Sequence, residues 1–61
     1  MYSWEINEIM IKRNYVIRPE EYMQICNSSP QISWVHYDAY TQRHQIHTDD
    51  GYLWDCIVKK D

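Results

Sequence analysis

The segment 27–30, Asn-Ser-Ser-Pro, divides the chain into two halves with different hydrophobic periods. Before it, apolar side chains recur at three- and four-residue spacing, as at Tyr22, Ile25 and Cys26, which is typical of a helix. After it, large side chains stand at every second position, which is typical of strands. Because proline cannot continue a helical hydrogen-bond ladder, the period changes where the secondary structure changes. The sequence therefore predicts an α+β domain in which two short N-terminal helices pack on a sheet.

The first helix is predicted over residues 3–14. Ser3 is the expected N-cap, and Glu5 places negative charge in the first turn, where the helix dipole favours it. Asn14 tolerates the left-handed conformation that stops helices, so it marks the expected end. The apolar run at 9–11 also fits a buried strand, and the sequence alone leaves this alternative open.

A second helix is predicted over residues 19–27, after a short extended piece at 15–17. Pro19 suits the first helical position, and Glu20 and Glu21 bring negative charge to the helix N-terminus. The break at the following proline ends this helix. The N-terminal half of the chain is therefore expected to be mainly helical.

Three strands are predicted to form an antiparallel meander after the break. The first, at 31–37, carries large apolar side chains at both odd and even positions, so we expect it to be central and covered on both faces. A reversal at 40–42 leads into a polar strand at 44–48. Asp-Asp-Gly at 49–51 is a strong signal for a tight hairpin turn, and the last strand follows at 52–58.

The apolar composition limits how the core can be built. The chain has 61 residues, with eight Ile, six Tyr and three Trp but one Ala, one Leu and no Phe. A domain of this length buries only about 60% of the surface that its unfolded chain exposes, so the core is expected to need nearly every large side chain. Rings and β-branched residues are therefore the expected core material, unless the rings serve an interface, where Tyr and Trp are also enriched.

The sequence contains no recognisable catalytic, cofactor-binding or metal-binding pattern. A turn centred near Tyr40 sets His36 opposite His44, but this spacing matches no zinc-ligand signature. Cys26 and Cys56 belong to no C-x-x-C pair and stand at apolar positions, which predicts reduced, partly buried thiols rather than nucleophiles. We therefore expect no enzymatic activity, no cofactor and no metal.

Direct nucleic-acid binding is not expected, although two helices followed by a hairpin resemble a shortened winged helix-turn-helix. The helix at 19–27 carries Glu20 and Glu21, whereas a recognition helix carries basic groups. The basic residues are spread over positions 12, 13, 18, 43, 59 and 60. A winged-helix-like DNA-binding regulator of a mobile element is the alternative function.

The lengths of the apolar runs indicate the compartment. The net charge is −3, and no apolar run is longer than three residues, as at 9–11 and 15–17. A membrane span needs about 20 apolar residues, and a signal peptide needs a long apolar stretch. The sequence therefore predicts a cytoplasmic protein that does not associate with membranes.

Acidic and aromatic residues of the predicted hairpins form the candidate partner-binding site. Carboxylates near the hairpin ends attract a basic protein surface, and exposed rings beside them anchor it. We therefore expect a larger protein partner with a basic surface. The candidate residues are Tyr37, Asp38, Tyr40, Asp49, Asp50, Tyr52 and Asp55.

In brevity, acidity, richness in Tyr, Trp and Ile and poverty in Ala and Gly, the chain resembles small accessory proteins of phages and mobile elements of AT-rich bacteria, which include anti-CRISPR inhibitors. This resemblance implies a non-enzymatic protein that occupies a surface of a bacterial host machine. The leading hypothesis is an inhibitor of a host nucleic-acid-processing protein such as a CRISPR effector. A homo-oligomeric structural protein, for example a homodimer, is a third hypothesis.

Overall fold

The computed structural model describes residues 1–60 and has an α+β fold. Within this range the strands form one mixed sheet in the order β1-β4-β3-β2, and both helices contribute to a core on one face of it. The prediction of an α+β fold with two helices is confirmed, although a short strand lies between the helices. The elements are α1 (Ser3–Lys12), β1 (Val16–Ile17), α2 (Pro19–Ser28), β2 (Ile32–Asp38), β3 (Arg43–Thr48) and β4 (Leu53–Val58).

Each helix begins with a hydrogen bond to a glutamate three residues inside it. The backbone N–H of Tyr2, the N-cap of α1, donates to Glu5 Oε1 at 3.0 Å. Arg18 caps α2 in the same way, and its N–H donates to Glu21 Oε1 at 3.2 Å. Ser3 is thus the first helical residue and not the predicted N-cap. The glutamate satisfies the N–H of the capping residue, so the position before Ser3 can start the helix.

A short parallel strand beside β4 corrects the predicted three-stranded antiparallel meander. The N–H of Ile57 donates to the carbonyl of Tyr15 at 2.8 Å, and the N–H of Lys59 donates to that of Ile17 at 3.0 Å. The chain reaches this position through the left-handed residues Asn14 (φ 55°) and Tyr15 (φ 62°). A strand of two residues carries no periodic signal, so the sequence indicated only an extended piece.

The core is built mainly from isoleucine, which confirms the expected β-branched residues as core material but not the expected rings. Of the nine aromatic residues, only Trp54 is buried. The isoleucines supply enough branched volume to fill the single layer between helices and sheet, so most rings stay outside it. The buried core residues are Ile6, Met10, Ile17, Ile25, Ile46, Trp54 and Cys56.

β2 is an edge strand and not the central strand that its apolar residues predicted. It pairs only with β3, and residues 33–37 are all exposed. The buried residues of the sheet lie on β1, β3 and β4, so the helices cover those strands and leave β2 largely bare. The large apolar residues at both odd and even positions of β2 therefore lie on the two exposed faces of an edge strand.

The reversal between β2 and β3 places its pairs one residue away from the predicted register. His36 pairs with Gln45, and Tyr37 pairs with His44. Gln42 has a φ of 58°, so a left-handed residue closes the reversal and shifts the register. His36 and His44 therefore lie on opposite faces of the sheet, and the predicted pair of facing imidazoles is wrong.

Candidate functional site

One face of the sheet, here called the open face, is covered by neither α1 nor α2. Trp34 and His47 stack on it, with ring centroids 5.1 Å apart and planes within 9° of parallel. Apolar, charged and polar side chains share this face, so it can contact a protein partner. Its residues are Val16, Trp34, His36, Asp38, Arg43, Gln45, His47, Leu53, Asp55 and Ile57.

A cleft of about 540 Å³ lies along the edge of β4, beside the start of β1, and is here called the β4 cleft. The first pair between the parallel strands β1 and β4 is Val16 with Ile57, so Leu53 and Asp55 precede the part of β4 that β1 covers. Leu53 is 54% exposed. The β4 cleft therefore combines an open strand edge with part of the open face. Its lining residues are Asn7, Asn14, Tyr15, Val16, Arg43, Tyr52, Leu53, Trp54, Asp55 and Ile57.

Asp55 supplies a carboxylate to the β4 cleft. The residue is exposed, and within residues 1–60 no hydrogen bond or ion pair holds its side chain. Tyr15 and Tyr52, which line the same cleft, are 40% and 47% exposed. A carboxylate together with accessible rings is a combination that recognises an ammonium or guanidinium group, through an ion pair and cation–π contact.

The backbone beside the β4 cleft is strained at Tyr15. Its φ of 62° lies in the left-handed region, which costs a bulky residue about 1–2 kcal/mol. Two hydrogen bonds hold it there, from its N–H to the carbonyl of Met10 at 2.7 Å and from the N–H of Ile57 to its own carbonyl at 2.8 Å. Strain of this kind concentrates at binding sites, and here it places a ring in the wall of the cleft.

The structure separates the seven predicted partner-binding residues. Tyr52 and Asp55 lie together in the β4 cleft. The other five are divided between the two ends of β3, which are about 20 Å apart for a strand of six residues, so the candidate acidic residues do not form one patch. Tyr37, Asp38 and Tyr40 precede β3, and Asp49 and Asp50 follow it.

Asp49 and Asp50 serve the turn between β3 and β4. The hydroxyls of Ser3 and Thr48 hold the pKa of the Asp50 carboxyl below its ordinary value. The Ser33 hydroxyl donates to Asp49 and ties this turn to β2. Both carboxylates therefore have local partners, which makes them less suited than Asp55 to bind an external cation.

Tyr37 lines a second cleft, of about 720 Å³, together with His44 and Lys59. Asp38, next along the chain, accepts the backbone N–H of Tyr40 at 3.0 Å, and this bond is the main cause of its lowered pKa. Asp38 thus closes the reversal after β2. The second cleft is lined by Lys59 and by no acidic residue, whereas Asp55 accompanies Arg43 in the β4 cleft, so the β4 cleft is the better site for a cationic partner.

His44 is enclosed by two tyrosines on the helix-covered side of the sheet. Its ring centroid lies 4.8 Å from that of Tyr22 and 4.6 Å from that of Tyr37. Burial lowers the pKa of His44 and raises the pKa of Tyr22 to about 12. Cys56, opposite His44 on β4, and Cys26 are both free thiols, as predicted.

We expect His44 to make the domain less stable as the pH falls from 7 to 5. Its pKa is lower in the folded chain than the ordinary 6.5, so below about 6.5 the unfolded chain binds the proton first and stability is lost. Asp38 and Asp50 have lowered carboxyl pKa values and contribute only near or below about 3.8. Urea denaturation at both pH values measures the effect.

The matched variants for this prediction are His44→Gln and His36→Gln. H44Q should lose less stability between pH 7 and pH 5 than the wild type. H36Q changes an exposed histidine on the open face and should keep the wild-type loss. Equal pH dependence in the wild type and H44Q would contradict the assignment to His44.

The sequence did not reveal three important residues of the β4 cleft, which are Tyr15, Arg43 and Leu53. Tyr15 reaches the cleft through its left-handed backbone, and Leu53 borders it because β1 is only two residues long. Arg43 is the first residue of β3, and the register between β2 and β3 differs by one residue from the register that the sequence predicted. The hairpin signal at 49–51, which indicates which residues of β4 share a face, is the only sequence feature that could have indicated this edge of the sheet.

Comparison of the chain with protein-family models, curated proteins and solved structures gave no match. Within residues 1–60, no group of three or more His, Cys, Asp or Glu side chains could hold a metal ion. In the same part of the chain, no helix is long and apolar enough to cross a membrane. The geometry of the site is therefore the basis for a functional proposal.

Proposed function

We propose that this chain is a small non-enzymatic protein-binding module that holds a basic protein partner at the β4 cleft. The observation that carries the proposal is the exposed Asp55 carboxylate, which has no partner within the described residues and shares the cleft with Tyr15 and Tyr52. A lysine or arginine of the partner binds there by an ion pair to Asp55 and by cation–π contact with the rings.

The edge of β4 supports the same proposal through its main chain. Leu53 and Asp55 precede the part of β4 that β1 covers, so an extended segment of the partner can add to the sheet at this point. Main-chain hydrogen bonds then contribute affinity, while the cationic side chain of the partner contributes specificity. Leu53 adds apolar contact area, since more than half of its side chain is exposed.

The charge of the chain and its composition define the class of partner. A net charge of −3 steers the chain toward a basic surface. The resemblance to phage and mobile-element accessory proteins makes a host nucleic-acid-processing protein, such as a CRISPR effector, the proposed partner, because such proteins carry basic nucleic-acid-binding surfaces. The chain would then act as an inhibitor in the bacterial cytoplasm.

The test measures binding of the purified chain to purified CRISPR effectors and other basic nucleic-acid-binding proteins. Asp55→Asn should weaken binding by about 10-fold to 100-fold, the value of a hydrogen bond to a charged group. Arg43→Gln should strengthen binding, because Arg43 lines the same cleft and repels a cation. Opposite effects of two substitutions in one cleft cannot arise from a general loss of fold.

The control is Ile11→Ser, matched to Leu53→Ser. Ile11 is 60% exposed on α1 and Leu53 is 54% exposed in the β4 cleft, so both substitutions remove a similar apolar surface. L53S should weaken binding, and I11S should leave it unchanged. If D55N and L53S bind the tested proteins as tightly as the wild type does, the β4 cleft is not the binding site.

A further inference from the structure

We infer that two copies of the chain pair through their β2 edges to form a dimer with one continuous eight-stranded sheet. β2 has seven residues, or about 23 Å of strand, against a longest molecular dimension of 27 Å. Its outer edge is unpaired within the described chain, and Trp34, Val35 and Tyr37 on it are 44%, 48% and 50% exposed. An edge that is long, apolar and exposed is a site for pairing with another strand.

β2 lacks most of the devices by which proteins keep an edge strand from pairing. It contains no proline and no lysine, and its one formal charge, Asp38, lies at its last position. The only irregularity is a register shift between Ile32 and Trp34, next to Ser33, whose hydroxyl donates to Asp49. The regular part of the edge is therefore Trp34–Asp38, with His36 at its centre.

A two-fold axis through His36 gives an antiparallel pairing without opposed formal charges. Val35 of each copy then faces Tyr37 of the other copy on the helix-covered side, which is a favourable aliphatic–aromatic pair. On the open face, Trp34 faces Asp38 of the other copy, and the two His36 rings meet at the axis. The segment is thus complementary to itself, as a two-fold interface requires.

The topology favours a second copy over an unrelated strand. In the dimer the strand order is β1-β4-β3-β2-β2-β3-β4-β1, so the outermost strands are the two copies of the two-residue β1. Pairing of two β2 edges therefore uses the seven-residue edge of each copy and leaves β1 and the adjoining part of β4 at the outer edges. A specific interface needs about 500 Å² from each copy, which is roughly one ninth of the 4394 Å² surface of the chain.

The dimer also sets the positions of the two β4 clefts. A two-fold axis perpendicular to the sheet keeps both open faces on the same side. Five strand spacings separate the two β4 strands, which places the clefts about 24 Å apart. If the proposed function holds, one dimer binds two cationic sites on one partner surface, and avidity strengthens the complex.

Sedimentation velocity of the purified chain, from low micromolar to about 1 mM, tests the dimer without any partner. We expect a concentration-dependent dimer, and Val35→Lys should raise its dissociation constant by about 10-fold or more, because each dimer loses two Val35–Tyr37 contacts. Ile11→Lys places the same charge on α1, at a position that is 60% exposed against 48% for Val35, and should leave the dimer unchanged. A chain that is monomeric throughout, or a dimer that V35K does not weaken, overturns the proposal.

A cysteine cross-link tests the register. In a Cys26→Ser background, His36→Cys places two thiols at the axis, and an added two-electron thiol oxidant such as diamide should convert them rapidly to a disulfide that links the two copies. Leu53→Cys, also exposed on the open face but two strands from the edge, should cross-link only slowly. Equal rates for the two variants overturn the pairing through β2. Because these measurements use the chain alone, failure of the dimer and failure of the proposed partner binding are separate results.

Discussion

Replacing Trp54 by alanine is expected to remove about a third or more of the stability of the protein at 25 °C. Trp54 is 3% exposed, and its Nε1–H donates to Asn7 Oδ1 of α1 at 3.1 Å. Truncation of a buried tryptophan costs about 3–5 kcal/mol, and a domain of this length has a total stability of roughly 3–9 kcal/mol. Far-UV circular dichroism during urea denaturation measures the loss in the free energy of unfolding.

Trp34→Ala is the matched control for this substitution. Trp34 is 44% exposed on the open face and makes one ring stack, with His47, so its loss should cost no more than about 1 kcal/mol. Trp54→Phe keeps a ring in the core and should fall between the two alanine variants. Measurements at low micromolar concentration avoid any contribution from association through β2. Equal stability losses for W54A and W34A would contradict the described core.

Native Cys56 is expected to react with iodoacetamide at least about 100-fold more slowly than an unperturbed thiol. Burial raises the pKa of Cys56 from the ordinary 9.0 to about 11, which lowers its thiolate fraction at pH 8 by about 100-fold. The side chain is also fully buried, so alkylation requires opening of the fold. Mass spectrometry of peptides from a labelling time course measures the rate at each cysteine.

Cys26 provides an internal control for this labelling experiment. Burial also raises its pKa, but the residue is only partly buried on α2, so it should be labelled well before Cys56. In urea the two thiols should react at similar rates, because the unfolded chain exposes both. If Cys56 is labelled as fast as Cys26 in the folded chain, β4 is not held in the core as described.

The local signals of the sequence predicted most of the secondary structure. The break at 27–30 separates the helices from the main strands, Pro19 begins α2, and Asn14 adopts the left-handed conformation. Asp-Asp-Gly at 49–51 forms the turn between β3 and β4. These features depend on backbone preferences of neighbouring residues, so the sequence alone can carry them.

The candidate site was predicted only in part. Tyr52 and Asp55 lie in the β4 cleft, but Tyr15 and Leu53 join them there because β1 is short and parallel to β4. The sequence showed that Trp34 and Trp54 each occupy a strand, yet it could not assign one to the surface and the other to the core. That difference depends on which strands the helices cover.

The sequence by itself determined the α+β class, the order of the helices and main strands, and the alternation that places Cys56 and Trp54 on the same face of β4. Only the tertiary structure decided that the aliphatic side chains fill the core, that β2 lies at the edge, and that β1 pairs in parallel with β4. Turns and periodicities arise from residues close along the chain. The position of a strand within the sheet depends instead on contacts between distant segments, and periodicity is the same for a covered strand and for an exposed edge.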